Sequence, residues 1–344
     1  MHALFQQRVS GDDALLSLAQ LRFAQMGVSA EVYADTPGQL ENVLRFAPTG
    51  PRLPVVHLNR GVDLLHERGR AAVREFAGRF TGRIAGLVAH DRRDMGELPE
   101  GWLAAMHELG TFLGQEAPGV TLFLEYAAGL DPGRFAEIAE RLQEVTQVSC
   151  CIDVGHVGIR QAGARFARDH PGLRLSDLDV ADPRLPALAG DVQAAVAGAL
   201  GDVQEVIRSV GKLGKPVHFH LHDGHPLVPG LADHFSFLTR LPVPFSYDGR
   251  RSLSMLYGPG GLASIVSSAI TACRPGGVSF TIEVHQAEGR LPLGDAASLF
   301  RNWRDTTNAE RMNYWLDVLS QNATLISQSI ADLPDPVRAR LPQP

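Results

Sequence analysis

The sequence predicts an α/β chain folded as a (β/α)8 barrel of the TIM type, with a long loop after the seventh strand and a C-terminal helical extension. Three observations point there. Apolar strand candidates alternate with helical stretches along all 344 residues, without the run of consecutive strands that a sandwich needs. Most of these strands end in carboxylates or imidazoles, where a parallel barrel carries its chemistry. The GxGxxG turn that a doubly wound open sheet places after its first strand is absent.

The elements follow in order. ALFQQRV (3–9) is a weak first strand, and LLSLAQLRFAQM, from Asp12, has helical spacing that stops at Gly27. AEVYAD (30–35) is the second strand, closed by Thr36, Pro37 and Gly38 ahead of the short helix QLENVLRFA. LPVVHLN (53–59) is the third, followed by an amphipathic helix whose Arg and Glu residues fall on a solvated face. RIAGLVAHD (83–91) and VTLFLEYA (120–127) flank the helix around WLAAMHELGTFLGQ. DPGRFAEIAERLQEV carries Pro at a helix start, where its missing N–H costs nothing, and feeds VSCCIDVGH (148–156).

The stretch from Gly158 to about Asp191 reads as an irregular insertion, after which a helix through VQEVIRSVGKLG returns the chain to VHFHLHD (217–223). A second excursion, Gly224 to Gly261, is long enough to be an active-site loop or lid. The helix GLASIVSSAITAC, the eighth strand VSFTIEVH (278–285) and a helical region from Asp295 to about Leu333 complete the chain. The expected organisation is a barrel over 1–290, a helical extension over 291–335 packed on the barrel or on a partner, and a tail over 336–344.

Composition narrows the function. The 44% hydrophobic content is ample for a core, and the net charge of −6 is dispersed, so there is no basic block for nucleic acid or an anionic membrane. Cys150, Cys151 and Cys273 are odd in number and lack CxxC spacing, which suits a reducing, cytoplasmic setting. The first residues have no basic region followed by an apolar run, and no later segment approaches a membrane span. The expectation is a soluble cytoplasmic protein with a small-molecule partner, no nucleic acid and no membrane. Self-association as a homo-oligomer is left open.

The chemistry centres on VHFHLHD, where His218, His220 and His222 alternate with Val217, Phe219 and Leu221 and so share one strand face. Parity does not choose among the three, although His218, deepest in the strand, is the best candidate for a satisfied core histidine. Glu125, Asp153 and Glu283 stand at the ends of other strands, and a buried carboxylate needs a partner or a metal. With His220 as fourth group they form a hard site suited to Mn²⁺, Mg²⁺, Co²⁺ or Fe²⁺, with Zn²⁺ open if more imidazoles join. His156 belongs to the exit turn of the sixth strand, in reach of a substrate or second metal, and His57 and His90 end the third and fourth strands. His222, Asp223 and His225 are candidates to orient ligands. Cys150 and Cys151 read as packing groups, and Asp248, Arg250 and Arg251 as loop charges able to hold a polyhydroxyl or phosphate group.

In order, FLEYA, CIDVGH, HFHLHD, the turn GPGG (258–261) and TIEVH resemble the xylose isomerase-like TIM-barrel superfamily of sugar isomerases and epimerases, to which the abasic-site endonucleases are related. RFAQMGVSAEVYAD looks like that superfamily's first helix and second strand, so the resemblance runs from about Leu18 to His285. By analogy with the epimerase branch, Glu125, Asp153, His220 and Glu283 match four ligands of one divalent metal. His220 is singled out because HLHD matches the family's histidine-x-x-aspartate pattern. The resemblance also implies that Glu125 and Glu283 are catalytic, exchanging protons with substrate carbon, and that His156 contacts substrate. His57, His90 and His222 are further substrate-binding candidates, although His57 and His90 also resemble histidines that hold additional ions in the endonuclease branch. That branch places an Asp-x-His pair before the Gly-rich turn, where this chain has Ser254 and Leu256.

These readings lead to the expectation of a divalent-metal-dependent isomerase or epimerase acting on a sugar, sugar phosphate or cyclitol by proton abstraction next to a carbonyl. The alternatives are a metal-dependent hydrolase or lyase with two-metal phosphodiesterase chemistry, and a non-catalytic sugar-binding barrel.

Overall fold

The structure is a computed structural model that describes residues 1–5, 13–46, 53–127, 129–178, 182–224, 227, 245–246, 251–252, 256–283 and 309–339. Eight parallel strands close into a barrel: β1 (His2–Phe5), β2 (Ser29–Ala34), β3 (Val55–Leu58), β4 (Gly86–His90), β5 (Thr121–Tyr126), β6 (Val148–Asp153), β7 (Val217–Leu221) and β8 (Val278–Ile282). Sequential strands are neighbours, and β8 pairs with β1 to complete the ring. A (β/α)8 barrel of the TIM type is therefore the fold.

Helices α1 (Asp13–Gln25), α2 (Pro37–Leu44), α3 (Glu67–Arg79), α4 (Trp102–Glu116) and α5 (Pro132–Arg141) follow β1 to β5 in turn, α6 (Val154–Asp169) and α7 (Leu185–Gly211) both follow β6, and α8 (Gly258–Ala272) follows β7. Their starts are written locally. Thr36 caps α2 through Gln39 N–H at 3.2 Å, and Asp131 caps α5 through Arg134 N–H at 2.9 Å, each just before a proline. The main core lies between strands and helices, where outward residues such as Phe219, Leu221 and Ile152 meet helix residues such as Phe135, Ile207 and Ile265. A smaller apolar floor of Val55, Val88, Phe123 and Cys151 fills the barrel interior below the polar layer. Lys215 clamps the chain before β7, its ammonium donating to the carbonyls of Leu142, Val145 and Val148 at 2.5–2.7 Å.

Two expectations need correction. The stretch after Gly158 is largely helical rather than irregular throughout: α6 runs to Asp169, and α7 starts at Leu185 and spans 27 residues, with a short 3-10 turn at Leu175–Asp177 in the connection between them. Gly155, Gly158 and Gly163 weaken helix propensity in α6, whereas packing decides the outcome: Ala162 and Phe166 join Val192, Ala195 and Ala199 of α7 in a separate buried cluster. His156 accordingly stands in the first turn of a helix rather than in a strand's exit turn.

Helix α9 (Ala309–Ala331) packs on α8 and α1, with Leu319, Ala323 and Ile326 entering the main core. Residues 6–9 of the expected first strand, 291–308 of the extension, 340–344 of the tail and most of the 224–261 loop lie outside the described residues. So do His225, Asp248, Arg250, Ser254 and His285.

Candidate metal centre

Period-two alternation turns His218, His220 and His222 into the barrel interior, and all three are fully buried. The neighbouring strands supply Glu31 and Tyr33 from β2, His57 from β3, His90 from β4, Glu125 from β5 and Asp153 from β6; Glu283 follows β8 directly. Register sets them side by side: His90 lies opposite Glu125, Asp153 opposite His220, and Tyr33 opposite His57.

Glu125 joins two groups of donors. Its Oε1 is 2.9 Å from His220 Nδ1, while its Oε2 faces His57 Nε2 at 3.3 Å and His90 Nε2 at 3.4 Å. Glu283 Oε1 lies 3.2 Å from the same His220 Nδ1. Ligand atoms of Glu125, Asp153 and His220 all fall within 4.8 Å of one another, and so do those of His57, His90 and Glu125. Glu125 Oε2 is buried and accepts no hydrogen bond despite two imidazole nitrogens nearby. Donors about 2.1 Å from a tetrahedral ion stand roughly 3.4 Å apart, so this spacing fits atoms turned toward a shared cation. The donor set of carboxylates and imidazoles suits a divalent metal on both sides of Glu125.

Asp153 is held from below. Its Oδ1 accepts from the His156 backbone N–H at 2.8 Å, capping α6, and pairs with His222 Nε2 at 2.7 Å. His156 Nε2 is 3.7 Å from Asp153 Oδ2. Room for His222 comes from Gly155, where a Cβ would sit 1.9 Å from the His222 Cε1.

The electrostatics separate the two glutamates. Burial raises a carboxyl pKa, yet His90, His220 and His57 hold Glu125 well below the usual range. Burial also acts on Glu283, with Asp153 and Glu125 adding repulsion, and its carboxyl is pushed up to about 7. Burial opposes charge on His220, but Glu31, Glu283 and Glu125 overcome it and raise the imidazole well above its ordinary value. Burial likewise opposes charge on His222, and Asp153 raises it to about 9; His90, where burial prevails, falls to about 4. This negative field is what a cation would neutralise.

The four expected ligands Glu125, Asp153, His220 and Glu283 thus converge, with His57 and His90 on the far side of Glu125 and with His156 and His222 against Asp153. His218 bonds to Ser279 Oγ at 2.6 Å and to Glu31 Oε2 at 2.9 Å, the satisfied core role expected for it. The side-chain oxygens of Asp223 take the N–H groups of Gly224, Tyr257 and Gly258 at 2.7–3.1 Å, pinning the start of α8, while its backbone carbonyl lies 3.3 Å from His222 Nδ1. Cys150 packs in the main core and Cys151 in the barrel floor. Leu256 is buried among apolar side chains of α6 and α7.

Sequence reasoning missed Glu31, Tyr33 and Asp91. Glu31 and Tyr33 occupy alternate positions of AEVYAD, and the argument applied to the other buried carboxylates would have flagged Glu31. Asp91 follows His90 and accepts the N–H groups of Ala127, Gly129 and Leu130 at 2.9–3.2 Å, bracing the exit of β5.

Among the described residues no helix is long and apolar enough to cross a membrane. Comparison of the sequence with protein-family models and with curated proteins finds no match. Among solved structures eight chains match. One is described as the crystal structure of AsfvAP:AG, at TM-score 0.40 and 16% identity over 90% of this chain and 89% of that one. The fold assignment rests on the closed eight-stranded barrel itself.

Proposed function

We propose that this protein is a two-metal hydrolase of phosphate esters. The observation that carries the reading is the division of Glu125, one oxygen toward His220 and the other toward His57 and His90. A carboxylate placed this way is suited to bridging two ions. His57, His90 and Glu125 would hold one, and Glu125, Asp153, His220 and Glu283 the other. A bound pair of divalent ions supplies Lewis-acid activation of a phosphoryl oxygen and of a water.

The remaining work falls to side chains. Glu283, buried 3.2 Å from His220 Nδ1, would serve as a carboxylate ligand, and the proton that burial and the neighbouring Asp153 and Glu125 favour on it would be released when a cation binds. The Tyr33 phenol is kept neutral by burial and by Glu283 and Glu125, and its ring lies beside His57, 4.3 Å away between centroids. His156, half-buried at the first turn of α6 beside Asp153, would contact substrate. The dispersed net charge of −6 favours a small ester over a polynucleotide.

A second reading, an isomerase or epimerase of a sugar or cyclitol, is favoured by the approach of Glu125 and Glu283 to the same His220 Nδ1, at 2.9 and 3.2 Å. Two carboxylates on one centre are suited to exchanging protons with a substrate carbon next to a metal-polarised carbonyl. Elemental analysis of the unchelated protein with assays on aryl phosphate mono- and diesters separates the two. About two ions per chain, with hydrolysis abolished by chelator, supports the hydrolase. A single ion with turnover of ketoses or keto-inositols overturns it in favour of the isomerase, and absence of any metal overturns both.

A further inference from the structure

Glu31 is a fully buried carboxylate with no role in the chemistry above. Both of its oxygens are engaged. Oε1 meets His220 Nε2 at 2.9 Å; Oε2 meets His218 Nε2 at 2.9 Å and accepts the Thr281 hydroxyl. His218 is anchored in turn by Ser279 Oγ at 2.6 Å. Thr281 and Ser279 stand opposite His220 and His218 in the β7–β8 register, so one network ties β2, β7 and β8 beneath the ligand layer.

We infer that Glu31 is a positioning residue that selects which nitrogen of His220 meets the metal, and thereby sets the affinity of the centre. A carboxylate only accepts, so His220 must present Nε2–H to Glu31. The lone pair of the neutral ring then lies on Nδ1, the nitrogen that faces Glu125 Oε1 at 2.9 Å and Glu283 Oε1 at 3.2 Å. The opposite tautomer would set a lone pair against a carboxylate and an N–H against the cation. The Glu31 charge also makes the imidazole a stronger donor, the effect that carboxylate partners have on metal-bound histidines. Glu31 and His57 also approach His220 closely enough to suggest Glu31 as a ligand. Its place opposite Val55, one inward position below Tyr33 and His57, and its three hydrogen bonds assign it instead to the support of one.

The inference rests on the metal reading, and the test keeps the two apart. Zn²⁺ affinity is measured by chelator competition in the wild type, Glu31→Gln and Glu31→Ala, together with ions bound at saturation. The His220 tautomer is read from imidazole ¹⁵N shifts in the Zn²⁺-loaded proteins, and the ligand field from the Co²⁺ absorption spectrum. Glu31→Gln, whose amide oxygen still accepts from Nε2–H, is expected to weaken binding about 10-fold with the tautomer kept. Glu31→Ala is expected to weaken it about 100-fold with the tautomer mixed, and neither changes the ions bound at saturation. Melting curves check folding, and if the Ala variant does not fold the Gln variant decides. Wild-type affinity and tautomer in the folded variants would overturn this inference alone. Loss of an ion at saturation in Glu31→Gln would make Glu31 a ligand and overturn it too. A wild type that binds no divalent ion overturns the metal reading and this inference together.

Discussion

Gly155→Ala probes the packing beneath the centre with a single methyl group. Gly155 lies in the first turn of α6 with an ordinary helical backbone, so alanine by itself would stabilise the helix by about 1 kcal/mol. The added Cβ, however, would sit 1.9 Å from His222 Cε1 and 2.3 Å from Nδ1, where carbon contacts normally need about 3.5 Å or more. His222 is fully buried and held by Asp153 at 2.7 Å, so it cannot shift that far and keep its bond. Overpacking costs about 1–3 kcal/mol, and the lost charged hydrogen bond about 1.5–3 more. After the helix gain, Gly155→Ala should destabilise the protein by about 1.5–5 kcal/mol. In a His222→Ala background the obstacle is gone, and the same substitution should be neutral or stabilising by up to about 1 kcal/mol. Denaturant unfolding of the four metal-free proteins gives the coupling directly, expected at about 2.5–6 kcal/mol because the helix gain cancels between backgrounds. Equal effects in both backgrounds, or stabilisation by Gly155→Ala alone, would refute the reasoning.

Other perturbations test separate parts of the site. Glu125→Gln should lower the metal content of the purified protein below the roughly two ions per chain of the proposed centre, because one carboxylate would serve both clusters; Cys273→Ser, buried in the core away from them, should leave it unchanged. His220 must lose a proton to bind a metal, and its pKa is raised well above the ordinary value by Glu31, Glu283 and Glu125. Zn²⁺ affinity in buffered titrations should therefore climb with pH through the neutral range, up to about tenfold per unit for each proton released. Asp223 is raised to about 6 by burial against an ordinary value of 3.8, so the folded state binds the extra proton. That contribution is fully present below about pH 4 and is lost as pH rises to about 6, worth about 3 kcal/mol. Asp223→Asn should flatten this part of the stability–pH curve, and an unchanged slope between pH 4 and 6 would count against it. Lys215→Met leaves three carbonyls without their ammonium donor and should cost about 2–3 kcal/mol in denaturant unfolding.

The strand–helix alternation and the residues that strand parity turns inward were legible in the local pattern of the chain. VHFHLHD, FLEYA, CCID and TIE each place their polar side chains by a period of two that needs no knowledge of neighbours. Proline and aspartate starts such as Asp131–Pro132 were equally legible, because capping is local. Helix α6 was not: its glycines argue against a helix, and only packing against α7 outweighs them. Glu31 was passed over because a single glutamate in AEVYAD looks like an exposed edge until β7 brings two imidazoles to it from nearly two hundred residues away. The division of Glu125 between His220 and the His57–His90 pair, and the fit of His222 into the space at Gly155, were likewise decided by tertiary structure alone. Which oxygen meets which nitrogen depends on side-chain directions across a closed ring of strands, and ring closure is a property of the whole chain rather than of any window within it.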